Sequence, residues 1–415
     1  MKKAIIVAAG AIIAVAIVIG VVFTQDGGNT PTVNDGIGTN DTITTGGGDP
    51  FTAISDSALP TVTDPALRVE KVVQGLASPT SMAFVGSDML ITEKDGNVRL
   101  VREGQLVNEP VLSLEVDSTS ERGLLGVAYA DDKAFFYMTE TSDTDTRNRV
   151  YKYDLQDGSL VNQAMILDLP GTPGPTHGGG KIIAHDGHLY VVIGDLGRDG
   201  QLQNYPDGPA ADYTSVILKV DFDGNPAADA LAGEGLESYY AYGIRNSFGL
   251  DFDPVSGTLW MTENGPDQYD EVNMVAPGFN SGWERVMGPI SRSSATEGDL
   301  VALEGSHYAD PEFSWQVSRG VTDIEFLDSD ALGAYSNNVF VGDINGGFLY
   351  YFVVNEARDG LALEGNLSDL VGDGDEGFEV ALGSGFGGIT DIETGPGGYL
   401  YVLSFNGSVY RLVPA

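Results

Sequence analysis

Between Ser87 and Val402 the sequence repeats one local pattern six times: a turn rich in Gly, Asp, Asn or Ser, then a short apolar strand carrying aromatic or β-branched residues. The copies open with Ser87-Asp88-Met89-Leu90, Asp132-Lys133-Ala134-Phe135, Asp186-Gly187-His188-Leu189, Ser256-Gly257-Thr258-Leu259, Asn337-Asn338-Val339-Phe340 and Gly397-Gly398-Tyr399-Leu400. Several run on into a hairpin partner across Asp95-Gly96 or Asn406-Gly407, dipeptides that accept the positive φ of tight hairpin turns. Helical periodicity of useful length is absent after the N-terminal segment, and each copy has room for a four-stranded sheet. Small sheets repeated this way predict an all-β chain folded as a six-bladed β-propeller, which removes exposed sheet edges by closing a ring. The strand that follows Arg68 is expected to complete the blade ending at Val409–Val413 and so lock the ring.

Ahead of the repeats, Lys2 and Lys3 precede an uncharged apolar run from Ala4 to Phe23. As a helix rising ~1.5 Å per residue, such a run spans about 30 Å, the thickness of a bilayer's hydrocarbon core. Residues 1–23 therefore read as an N-terminal transmembrane helix, lysines inside and everything later outside the cell membrane. The competing reading is a signal segment removed on secretion. It would have a shorter apolar region and an A-x-A-like site, which Val22-Phe23-Thr24-Gln25 does not supply. Residues 24–66 are rich in Gly, Thr, Asn and Asp and read as a flexible linker, leaving 67–415 for the propeller.

Charge narrows the function. Sixty acidic residues against 21 basic ones give a formal net charge of −39, a surface that repels nucleic acid and excludes it as a partner. There is no cysteine, so disulfides and thiolate metal sites are excluded.

Four histidines are present, and one has an unusual setting. His177 stands before Gly178-Gly179-Gly180 at the entry to a strand, where a ligand can approach closely, and an imidazole is the natural proton acceptor near neutrality. A turn histidine without a task is the plain alternative. Asp195 ends an apolar strand between glycines and is placed to orient a histidine, hold a cation or cap a turn. Arg245 and Asn246 precede the strand at Leu250; the arginine offers a fixed positive fork or a salt bridge to a nearby acid. The loop Glu263–Glu271 combines carboxylates with the Gly265-Pro266 turn, as hard-cation sites require.

Taken in order, Pro79-Thr80-Ser81-Met82, Gly123-Leu124-Leu125-Gly126, His177-Gly178-Gly179-Gly180-Lys181, Tyr190…Gly194-Asp195, Arg245-Asn246, Glu263-Asn264-Gly265-Pro266, Asp270-Glu271-Val272-Asn273 and Asn280-Ser281-Gly282-Trp283 resemble the glucose/sorbosone dehydrogenases. These are soluble six-bladed propellers that use pyrroloquinoline quinone (PQQ). The resemblance covers about Val69 to Pro414. It implies oxidation of aldose sugars to lactones, with hydride passing to PQQ and electrons leaving to an external acceptor. His177 matches the general base, Asp195 its supporting carboxylate and Arg245 the arginine that stabilises the reduced cofactor, with Asn246 beside it. Gly265 and Pro266 match the pair whose carbonyls hold the cofactor's Ca2+.

The sequence departs from the family at the cofactor's periphery. A lysine and two arginines that pair there with carboxylates of PQQ align with Asn345, Gly388 and Thr390. A glutamine before Gly-Leu-Leu-Gly is Glu121. Hydrogen bonds to charged groups contribute about 1.5–3 kcal/mol each, so three missing partners weigh heavily unless Arg122, Arg198 or Arg319, in nearby loops, replace them. Two other readings follow. One is a non-catalytic propeller binding a glycan, protein or metal on its acidic face; the other is metal-dependent lactone hydrolysis.

Overall fold

The structure is a computed structural model that describes residues 49–415 except 57, 157, 199 and 209. The apolar run at residues 1–23 lies outside the described residues, and among those described no helix is long and apolar enough to cross a membrane. Apart from short 3-10 turns, the described chain is all β, arranged as a propeller.

Its strands form six sheets. One strand of each sheet is innermost: Pro79–Val85, Leu124–Ala130, Ile182–His185, Gly249–Phe252, Val321–Phe326 and Ile389–Thr394. Each of these touches the next, and Ile389–Thr394 touches Pro79–Val85, so they enclose a central channel. Hairpin turns hold consecutive strands in register. At Asp95-Gly96 the glycine has φ +103, and a Cβ there would lie 2.1 Å from the Leu114 carbonyl oxygen, so only glycine fits.

The last sheet runs Ile389–Thr394, Leu400–Ser404, Ser408–Pro414, and its outermost strand is Leu67–Gln74, antiparallel to Ser408–Pro414 from Leu67 opposite Pro414 to Gln74 opposite Ser408. The two ends of the folded unit thus share one sheet, as the sequence led us to expect. The segment read as linker is different from residue 49 on. Phe51 is buried, Ile54 bridges Lys71, and Thr61–Val62 pairs with Gly383–Ser384. One aromatic anchor and two strand residues suffice to dock a polar stretch; the rest of that linker lies outside the described residues.

Inner strands of neighbouring sheets do not share a backbone ladder, so side chains latch them. Asp251 accepts the Phe326 amide (2.7 Å), Asp323 the Ile392 amide (2.9 Å), Glu325 the Thr394 amide (2.7 Å), and Asp391 the Met82 amide. The Lys181 ammonium lies between them, 2.8 Å from Asp323 and 2.6 Å from Asp391. Burial with like charges nearby raises the pKa of several of these acids, Asp323 and Glu325 well above the carboxylate range.

Candidate active site

At one end of the channel the six innermost strands open into a cavity of about 410 Å3. The glycines 179, 180 and 320 leave parts of its wall bare of side chains, and His177, Arg245, Asn246 and Glu121 face it.

His177 is held in an unusual backbone conformation, φ +59, a region histidine visits more readily than most residues but that still stores strain. Its amide donates to Glu121 Oε2 at 2.7 Å. Its ring Nδ1 is 2.7 Å from Asp195 Oδ1. That carboxylate also accepts the Gly197 amide on Oδ1 (2.7 Å) and the Trp283 indole N–H on Oδ2 (2.8 Å). Burial alone would raise the pKa of Asp195; the bonds from His177, Gly197 and Trp283 outweigh it and hold the group below the usual carboxylate range. An ionised Asp195 accepts only, so Nδ1 carries the proton and Nε2 is the basic nitrogen.

Arg245 lies in the loop between Tyr239–Tyr242 and Gly249–Phe252 and is fixed on several sides. Its amide donates to Glu263 Oε1 (2.6 Å), Nη1 donates to the Asn264 carbonyl (2.8 Å), and the guanidinium carbon lies 5.3 Å from the Trp283 ring centroid. Its buried Nε has no partner. Neither has the buried Oδ1 of Asn246, whose Nδ2 donates to Glu121 Oε2 at 3.2 Å. Glu263 accepts the Ser281 hydroxyl at 2.5 Å as well. It is fully buried, and burial pushes its pKa up to about 7.

The structure therefore gathers His177, Asp195, Arg245, Asn246 and Glu121, drawn from distant parts of the chain. It does not bring Arg122 and Arg319 with them. Arg122 pairs with Asp117 (2.9 Å) and donates to the carbonyls of Gly171 and Gly174. Arg319 donates to the Gly374 carbonyl (2.9 Å) and stacks on Phe378. Arg198 pairs with Asp212. Nearby carbonyls and acids have claimed these cations, so the neutral periphery at Asn345, Gly388 and Thr390 is not made good by them. Gly265 and Pro266 follow Asn264, which lines the cavity, but do not line it themselves. Asp270 pins their loop by accepting the Gly265 amide (3.0 Å) and those of Arg319 and Gly320 (2.6 Å each). Among the described residues no group of three His, Asp or Glu is clustered to hold a metal.

Two contributors escaped the sequence reading as functional residues, Trp283 and Glu263. Both stood inside family-like motifs; their bonds to Asp195 and Arg245 join positions 88 and 18 residues apart and leave no local signal.

Comparison with known proteins identifies the family and the fold. The family model for glucose/sorbosone dehydrogenase matches residues 76–411. An aldose sugar dehydrogenase of Escherichia coli is 27% identical over 361 residues, 81% of this chain and 90% of that one. The quinoprotein glucose dehydrogenase B of Acinetobacter calcoaceticus is 28% identical over 234 residues, 49% and 47% of the two chains. In fold, the chain matches the PQQ-bound aldose sugar dehydrogenase of Streptomyces coelicolor with a TM-score of 0.62 at 23% identity, covering 84% of this chain and 99% of that one.

Proposed function

Because the chain belongs to the glucose/sorbosone dehydrogenase family, for which sugar oxidation by a quinoprotein-type enzyme is the supported activity, we propose that its cavity oxidises aldoses to lactones with His177 as the general base. The observation that carries the reading is the His177–Asp195 pair, whose free ring nitrogen is on the residue that faces the cavity.

The residues present fit a planar quinone at its reactive end. Arg245 Nε and Asn246 Oδ1 are buried and unpartnered, and glycine backbone lines the wall. Arg245 and Asn246 are the groups that would hold PQQ; the Gly265-Pro266 carbonyls, which the resemblance assigns to Ca2+, are not on the cavity wall. Bound there, PQQ supplies a two-electron acceptor and Ca2+ a Lewis acid. The chain's own part is to take a proton and fix geometry. His177 Nε2 accepts the proton of the anomeric hydroxyl. Asp195 keeps Nδ1 protonated and stabilises the imidazolium that forms. Trp283 holds both Asp195 and the Arg245 guanidinium in place. Arg245 supplies fixed positive charge where negative charge develops.

The test is dye reduction by the purified protein with PQQ, Ca2+ and an aldose. His177→Ala should lower kcat/KM about 10²- to 10⁴-fold, the usual worth of a general base. No turnover by the unaltered protein, together with no change in quinone absorbance, would favour the non-catalytic propeller. That alternative rests on the neutral residues at Asn345, Gly388 and Thr390.

A further inference from the structure

Two carboxylates without a part in the sugar chemistry line the cavity; Asp391 is paired with Lys181, and Glu121 is not paired. Glu121 lines it and accepts from two neutral donors, the His177 amide and the Asn246 side chain, both through Oε2. Among the described residues no lysine or arginine lies within ion-pair distance of it. The neighbouring Arg122 points away to Asp117. The two lysines of the cavity wall are also committed. Lys181 lies between Asp323 and Asp391, and Lys94 donates to the Ser118 carbonyl. Arg245 is bound to Asn264 and stacked on Trp283. The Glu121 carboxylate is thus left without a paired cation, in a chain that carries −39 as a whole and so draws cations toward its surface.

Glu121 is bonded to the backbone of the residue assigned the anomeric proton, so its carboxylate stands beside the reacting end of a bound sugar. We propose, resting on the function proposed above, that the site selects aldoses bearing a protonated amine beside the reacting hydroxyl (2-amino-2-deoxy aldoses), with Glu121 as the counter-charge. Bonds between charged partners are about twice as strong as neutral ones. A neutral hydroxyl at the same carbon gains less, and a carboxylate is repelled.

Glu121→Gln tests this, because the amide keeps an oxygen to accept from His177 and Asn246. The dissociation constants of glucosamine hydrochloride and glucose are measured on the full chain by calorimetry, with no turnover needed. Dye reduction with PQQ and Ca2+ then gives kcat/KM for the same two sugars. The unaltered chain should favour glucosamine about tenfold in both measurements, less as salt is added, and E121Q should bring the ratio near one. Equal binding of the two sugars by the unaltered chain, or a preference that persists in E121Q, overturns the proposal. If neither sugar reduces the dye but the binding preference holds and vanishes in E121Q, the selection stands and the redox reading falls.

Discussion

Glu263 offers a test of the scaffold behind the site through a change that should strengthen the fold. Its carboxyl is fully buried, accepts the Arg245 amide on one oxygen and the Ser281 hydroxyl on the other, and has its pKa raised from 4.5 to about 7 by burial. A carboxyl with a raised folded-state pKa contributes stability that is complete below its unfolded pKa and is lost as pH rises through about 7. The shift of about 2.5 units corresponds to roughly 3 kcal/mol lost by pH 8.5, and less than about 1 kcal/mol at pH 5. Glu263→Gln removes the titration and keeps the bonding, since its oxygen accepts from Arg245 and its amide donates to Ser281 Oγ. We expect E263Q to be more stable than the unaltered protein by about 3 kcal/mol at pH 8.5 and nearly equal to it at pH 5. With an unfolding entropy of about 2.1 cal/mol/K per residue, that is a Tm rise of roughly 4 °C at the higher pH. Calorimetry at the two pH values reads it directly. A stability difference independent of pH, or a loss of stability at pH 8.5, would mean that Glu263 is ionised and supports Arg245 as a charge.

Two further substitutions separate the parts of the site. Trp283→Phe keeps a ring under Arg245 but removes the indole donor to Asp195, so the pKa of Asp195 should rise and the acid limb of the kcat/KM profile should move to higher pH, with about a tenfold loss at the optimum; an unchanged profile would leave Trp283 as packing alone. Asn345→Lys restores one cation at the neutral periphery and should tighten PQQ binding about tenfold in an absorbance titration; no change would show that the periphery does not meet the cofactor's carboxylates.

Much of the architecture was legible because a propeller's signals are local. Asp95-Gly96 and Asn406-Gly407 mark hairpins by their own backbone requirements, and each strand carries its apolar residues within a few positions. His177 and Asp195 were legible for a related reason: glycines on either side leave few structural explanations for a polar residue. What escaped depends on contacts between positions far apart in the chain. The bond from Trp283 to Asp195 joins positions 88 residues apart, and no pattern near either predicts it. Arg122 and Arg319 were misplaced because a loop arginine in so acidic a chain has many acceptors, and sequence does not say which carbonyl or carboxylate is nearest. The polar stretch after Asp49 was read by composition, yet a single buried phenylalanine and a two-residue strand dock it.

Leu67–Gln74 and Ser408–Pro414 finish one sheet from opposite ends of the folded unit, and this orders events during biosynthesis. A nascent chain has made His177, Arg245 and the cavity-lining glycines well before the strand that zips the circle shut. Until then the wall beside Pro79–Val85 has no finished neighbour. Thr80 and Thr390, from the two strands that this closure brings side by side, both line the cavity, so its wall is complete only once the circle is shut.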